Sequence, residues 1–126
     1  MTVIVSVKIN DGVVLAVDSA GSMESGQVYE HANKITNLCA GLPVGAMSTG
    51  SGGIGNESIE TLLKDLRRRF AGLSLAYPEW KLDPQSYTMG EVAERLGSSF
   101  LRKRHRFANP RPTYKCAFAV IRLTTL

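Results

Sequence analysis

Two apolar runs at the start of the chain, joined by Asn10-Asp11-Gly12, constrain the fold more than any other feature of the sequence. Valines alternate with other residues over 2–8, and a second run rich in β-branched residues spans 13–17. A period of two predicts strands, and an Asp-Gly pair between two such runs predicts a tight hairpin loop in which glycine takes a positive φ. The chain therefore begins with a β-hairpin, and Asp18 follows its second strand.

A second hairpin is predicted in the next third of the chain. Residues 34–39 and 44–48 form two short apolar runs, and Gly41-Leu42-Pro43 between them is typical of a turn. Small and polar residues separate this pair from the first hairpin, so the chain is expected to leave the sheet after Asp18. Four strands in two hairpins therefore precede any helix.

Two helices and a last strand follow. Apolar residues over 59–70 recur at helical spacing, with Asn56 as the expected N-cap. The capping-box pattern that begins at Thr88 predicts a second helix, which the two prolines within 109–112 stop, and 114–122 predicts a fifth strand. Strands, then helices, then a strand indicate an α+β fold with antiparallel pairing in one domain over 1–126.

Composition places the chain among globular proteins. Its 126 residues are 44% hydrophobic and 21% charged, and no apolar run approaches the roughly 20 residues that a membrane span needs. No basic segment with an apolar stretch and a cleavage site stands at the start, so we expect a cytoplasmic protein without membrane contact. Cys39 and Cys116 lie in apolar surroundings without CxxC spacing, which predicts reduced, buried thiols.

Several motifs have a structural interpretation beside a functional one. Residues 50–55 contain G-x-G-x-x-G, which keeps a nucleotide-binding module as an alternative, although two hairpins precede it and no acidic strand end follows about 20 residues later. The basic clusters 67–69 and 102–106 each end a predicted helix, where the helix dipole favours cations, so we expect solvated helix ends and no nucleic acid. His31 and His105 stand far apart without a third ligand, and no metal site is predicted.

Three polar residues stand at strand ends that one sheet could bring together. Thr2 begins the first strand, Asp18 ends the second, and Lys34 begins the third. Taken singly, such residues are usually turn or solvated positions. Their spacing alone therefore leaves the function open.

The chain nevertheless resembles a known family at these positions. Thr2 before an alternating strand, then DGVVLAVDS, NKI, and GAMSTG before a helix, is similar to the N-terminal half of proteasome β-type subunits and their bacterial relatives. These are N-terminal-nucleophile threonine proteases. The similarity covers about the first 70 residues well and the second helix and last strand more loosely. It implies an αββα four-layer sandwich, represented here by its N-terminal half and incomplete at the C-terminus.

The resemblance also implies an activity. Met1 would be removed, Thr2 would be the nucleophile, and Asp18 and Lys34 would be its acid and base-side partners. A backbone N–H of Thr49 or Gly50 would stabilise the oxyanion, and both remain candidates. The expected substrate is a peptide or unfolded protein, and the expected partners are further copies of the chain in a ring and an ATPase or another activator. No cofactor is implied.

Two departures from the family pattern leave a rival interpretation open. Ala20 stands where the family usually has an arginine, and the sequence stops at Leu126, before the strands and helices that carry a supporting serine and aspartate in the family. We expect unpaired strand edges and exposed apolar faces as a result. A non-catalytic or truncated ring subunit of the same fold is therefore the main alternative to a peptidase.

Overall fold

The N-terminal hairpin is present as the sequence predicts, with a different loop. The structure, a computed structural model, describes residues 2–22, 25–106 and 116–123. Strand β1 (Ile4–Ile9) pairs antiparallel with β2 (Gly12–Val17), and Ile9 lies opposite Gly12. The loop is therefore Asn10-Asp11, neither of which has a positive φ, and Gly12 belongs to the strand without one. The expected positive φ of Gly12 is wrong, since the turn closes one residue earlier.

A pair of two-residue strands that the sequence did not predict follows the hairpin. Strand β3 (Gly21–Ser22) pairs with β4 (Val28–Tyr29), and the amide of Ala32 donates to the carbonyl of Ser19 at 2.8 Å. The segment between residues 19 and 32 thus returns to its starting point. Such short pairings have no apolar period for a sequence pattern to reveal.

A three-stranded antiparallel sheet combines the second hairpin with the last strand. Its order is β5 (Ile35–Asn37), β6 (Val44–Gly50) and β9 (Cys116–Arg122). The predicted second hairpin is confirmed, with Gly41 at φ 82° in its turn. The predicted fifth strand is confirmed over 116–122, whereas residues 114 and 115 lie outside the described residues.

The glycine-rich segment does not lie in a βαβ unit. It leads into β7 (Gly53–Ile54), which pairs antiparallel with β8 (Glu57–Ser58). Strand β6, which precedes the segment, is antiparallel to both of its neighbours. A dinucleotide fingerprint requires a parallel strand–helix–strand setting, and the described part of the sheet lacks one here.

Both predicted helices are present. Helix α1 (Ile59–Phe70) has the predicted bounds, but its N-cap is Ser58, whose hydroxyl accepts from the amide of Thr61 at 3.1 Å. The expectation for Asn56 is wrong because β8 intervenes between Asn56 and the helix. Between the helices lies a short 3₁₀ helix, Pro78–Trp80.

Helix α2 (Met89–Arg106) forms one of the two hydrogen bonds of the predicted capping box. The hydroxyl of Thr88 accepts from the amide of Glu91 at 3.1 Å, while the Glu91 carboxylate pairs with Arg95 instead of returning to the cap. The stop predicted at 109–112 lies outside the described residues. Of the described chain, 29% is helix and 32% strand, so the α+β class is confirmed.

The hydrophobic core lies between the helices and β6. Its buried members come from residues 38–100, and the least exposed large ones are Phe70, Leu38, Met47, Leu63, Leu66, Val44 and Val92. The N-terminal hairpin reaches this core at Gly45, where an added Cβ would lie 3.2 Å from Cδ1 of Leu15. Glycine at this point lets the Leu15 side chain of β2 approach β6 closely.

Candidate active site

The structure brings Thr2, Asp18 and Lys34 together, and they lie just outside β1, β2 and β5 respectively. The Nζ of Lys34 lies 3.1 Å from Oγ1 of Thr2 and 3.0 Å from Oδ2 of Asp18. The ammonium also donates to the carbonyl of Ala20 at 2.5 Å. An ammonium has three N–H donors, and here each has an acceptor, so the contacts fit the protonated form of Lys34.

Strand register explains why these three residues meet. Ile4 lies opposite Val17 in the hairpin, so Thr2 and Asp18 both lie just beyond the same end of the β1–β2 ladder. Lys34 directly precedes β5, and its carbonyl accepts from the amide of Ser48 on β6 at 2.9 Å. The lysine therefore connects the start of β5 with the open end of the β1–β2 hairpin.

The site is shielded but not closed. The Lys34 side chain is 11% exposed and the Asp18 side chain 31%. The amide of Val3 and then the Lys34 ammonium, both donating to the carboxylate, hold the pKa of Asp18 below its usual value. Asp18 is therefore ionised at neutral pH and faces a cation, which favours the charged form of the pair.

Two backbone groups in the site escaped the sequence analysis. The Ala20 carbonyl accepts from Lys34, and the Val3 amide donates to Oδ1 of Asp18 at 2.8 Å. Because Ala20 acts through its carbonyl, the absence of the family's arginine side chain leaves this contact in place. Backbone atoms are the same in every residue, so no signal in the sequence could have identified them.

The backbone N–H groups of the two oxyanion candidates, Thr49 and Gly50, point to opposite edges of β6. The carbonyl of Val44 and the amide of Ser48 both bond towards the β5 side, whereas the carbonyl of Pro43 bonds to Leu123, next to β9. Successive backbone groups of a strand point to opposite edges. The N–H of Thr49 therefore points towards β9, and that of Gly50 points to the β5 side, where Lys34 lies.

The backbone conformation at position 50 explains why a glycine stands there. Its φ is 101°, which L-residues with a side chain rarely adopt. Gly50 is the last residue of β6 and the point at which the chain turns towards β7. The N–H that points to the lysine side is thus carried by a residue whose backbone shape depends on having no side chain.

The basic clusters are only partly solvated. Arg69 is 9% exposed, lies 4.0 Å from the centre of the Tyr77 ring and pairs with Asp65. The expectation of a solvated helix end is therefore wrong for Arg69, because the loop before Trp80 covers it. In the second cluster Lys103 pairs with Glu57 at 2.6 Å, and the side chains of residues 104–106 lie outside the described set.

The described residues contain a further cavity and a cysteine thiol outside the Thr2, Asp18 and Lys34 site. A cavity of about 390 Å³ between α1 and α2 is lined by acidic and basic side chains together. Its lining residues are Glu57, Thr61, Lys64, Asp65, Arg68 and Lys103. Burial raises the pKa of the Cys39 thiol, and the thiol of Cys116 is outside the described side chains. The described residues contain no group of three His, Cys, Asp or Glu that could hold a metal ion. Nor does this part of the chain contain a helix that is both long and apolar enough to cross a membrane.

Comparisons with family models, curated proteins and solved structures found no match for this chain.

Proposed function

We propose that this chain is a threonine-type endopeptidase of the proteasome-like, N-terminal-nucleophile class, with Thr2 as nucleophile after removal of Met1. One observation carries the proposal: the Lys34 ammonium contacts the Thr2 hydroxyl at 3.1 Å while it is held by Asp18 at 3.0 Å. A lone threonine hydroxyl is a weak nucleophile, and a neighbouring cation stabilises the alkoxide that forms during attack. Met1 lies outside the described residues.

The base in this proposal is the α-amine of Thr2. The three N–H groups of Lys34 already donate to acceptors, which suits a cation and not a proton acceptor. A free α-amine has a pKa near 8 and can take the hydroxyl proton directly or through one water. Only a threonine at the chain terminus carries this amine, so removal of Met1 and catalysis are linked.

The proposed reaction proceeds in two steps. The Thr2 oxygen attacks the peptide carbonyl as its proton passes to the α-amine, and the N–H of Gly50 stabilises the oxyanion. The leaving amine takes the proton as the peptide bond breaks, which leaves an ester on Thr2. The α-amine of Thr2 then deprotonates a water molecule, which hydrolyses the ester and restores the Thr2 hydroxyl.

The same proposal includes the finer fold and the assembly. The N-terminal hairpin, the three-stranded sheet and the two helices support an αββα sandwich as the finer fold. Half-exposed valines on β1 support association with further copies, as in a ring. A cytoplasmic location, an ATPase or other activator and a peptide or unfolded-protein substrate belong to the proposal through the resemblance alone.

The test combines intact mass with cleavage of a panel of fluorogenic peptides. We expect a mature chain without Met1 that cleaves peptides, complete loss of cleavage in Thr2→Ala, and measurable cleavage in Thr2→Ser, which keeps a hydroxyl on a terminal amine. Ser6→Ala, which removes a hydroxyl from the strand that follows Thr2, is the matched control and should cleave as the unchanged chain does. Retained Met1 with no cleavage would favour the non-catalytic ring subunit instead.

A further inference from the structure

Two sequence motifs, of which the proposed chemistry uses Gly50 alone, are joined by a salt bridge. The basic cluster 102–106 contributes Lys103 from the last turn of α2, and the glycine-rich segment 50–55 is followed by β8, which carries Glu57. The Nζ of Lys103 donates to Oε2 of Glu57 at 2.6 Å, and both side chains are partly buried. The pair therefore ties the turn after β6 to the end of α2.

Glu57 and Gly50 belong to one short, closed segment of the chain. Strands β7 and β8 pair so closely that a Cβ added at Gly53 would lie 2.6 Å from the carbonyl oxygen of Glu57. The amide of Ile59 donates to the carbonyl of Gly52 at 2.9 Å, which closes the segment at the start of α1. Two residues separate the end of β6 from β7, so a displacement of the β7–β8 pair also turns Gly50.

Helix α2 gives the salt bridge a fixed support. The ring centre of Phe100 on α2 lies 4.4 Å from that of Phe118 on β9, and Lys103 follows Phe100 by three residues, which places the two on neighbouring positions of the helix surface. Strand β9 in turn pairs with β6 as far as Gly50, which lies opposite Cys116. The β6 ladder therefore holds Gly50 from one side, and α2 holds the turn that follows it from the other.

From this geometry we infer that the salt bridge between Glu57 and Lys103 positions the N–H of Gly50 towards the oxyanion, by fixing the β7–β8 pair to α2. The inference rests on the proposed function, in which Gly50 donates this N–H. Glu57 and Lys103 act through the backbone of the turn, so they are positioning residues. An N–H that is fixed before the reaction stabilises the oxyanion without reorganising, which is the condition for a large effect on rate.

NMR of the full ¹⁵N-labelled chain tests the link without any assay of cleavage. Lys103→Met removes the charge and keeps a long, unbranched side chain. The chemical shift of the Gly50 amide should then change, together with the residual dipolar coupling of its N–H, which measures the orientation of that bond. Lys103→Arg keeps a cation that can pair with a carboxylate, and it should leave both values close to those of the unchanged chain.

A charge exchange separates the salt bridge from the single side chains. Glu57→Lys brings two cations together and should displace the turn, whereas Glu57→Lys combined with Lys103→Glu restores an attractive pair and should return the Gly50 signals. Glu91→Gln is the matched control, because it breaks the salt bridge with Arg95 in the first half of the same helix. This control should leave the Gly50 signals unchanged.

The possible outcomes distinguish this inference from the proposed function. Unchanged Gly50 signals in Lys103→Met would overturn the inference, even if the chain cleaves peptides. Signals that move in Lys103→Met and return in the charge exchange, in a chain without cleavage, would uphold the link and overturn the proposed function. In an active chain, Lys103→Met should lower kcat about tenfold with little change in KM, because the oxyanion forms only on the way to the transition state.

Discussion

The N-terminal hairpin and the helical region of this chain are held in different ways. Among the side chains that the structure describes, the buried ones lie between residues 38 and 100, where Leu38, Val44 and Leu66 are fully enclosed. On β1, by contrast, Val5 and Val7 are 45% and 49% exposed. The proposed nucleophile precedes the exposed strand and not an element of the core.

This difference shows what keeps the site in place. The hairpin meets the core through Leu15 at Gly45, and its end is held by the bonds of Asp18 and Lys34. Polar contacts at a half-buried position contribute less to folding than enclosed apolar side chains do. Changes in the helical region should therefore unfold the chain, whereas changes at the hairpin end should displace the site in a folded chain.

The largest effect expected from this comparison is on stability. Leu66→Ala removes a fully buried side chain of α1 and should lower the free energy of unfolding by about 2–5 kcal/mol. Val7→Ala, on the exposed face of β1, should change it by less than about 0.5 kcal/mol. Urea denaturation followed by circular dichroism measures both values. Equal losses would mean that the β1 face is covered in solution, for example by another copy of the chain.

A smaller effect is expected at the end of β6, where the two regions meet. Gly50→Ala forces a side chain into a backbone with φ 101° and should cost about 1–2 kcal/mol of stability. Because this strain moves the proposed oxyanion N–H, peptide cleavage should fall at least about tenfold. Gly52→Ala is the matched control, since an added Cβ there meets no atom within 4 Å. Equal cleavage by the two variants would contradict the assignment of Gly50.

Much of the fold could be predicted because its signals are periodic. The structure confirms both β1, predicted from its alternation, and the helix predicted from its spacing over 59–70. The spacing over 59–70 follows the buried face of the helix, whereas five of the six β1 residues are exposed. The two-residue strands β3, β4, β7 and β8 are too short to have a period. The hairpin loop was misplaced by one residue, because Asp-Gly favours a turn without fixing where the strand pairing closes.

The site was predictable in part for a related reason. Thr2 and Lys34 are unremarkable as single residues and were singled out through the resemblance in the sequence, and the structure brings them within hydrogen-bonding distance. The Val3 amide and the Ala20 carbonyl belong to the backbone and depend on register and loop path. Which of the Thr49 and Gly50 N–H groups faces the β5 side depends on the same information, since it follows from the register of β6.

The smallest expected effect concerns the start of α1, within the core region. The sequence favoured Asn56 as N-cap, whereas the hydroxyl of Ser58 accepts from the Thr61 amide in the structure. Ser58→Ala should therefore lower the free energy of unfolding by about 1 kcal/mol. Asn56→Ala, which stands before β8, should leave it within about 0.5 kcal/mol. Because α1 contributes Leu62, Leu63 and Leu66 to the core, even a cap at its exposed end acts on the stability of the whole region. A larger loss in Asn56→Ala than in Ser58→Ala, measured by urea denaturation, would instead place the helix start before β8.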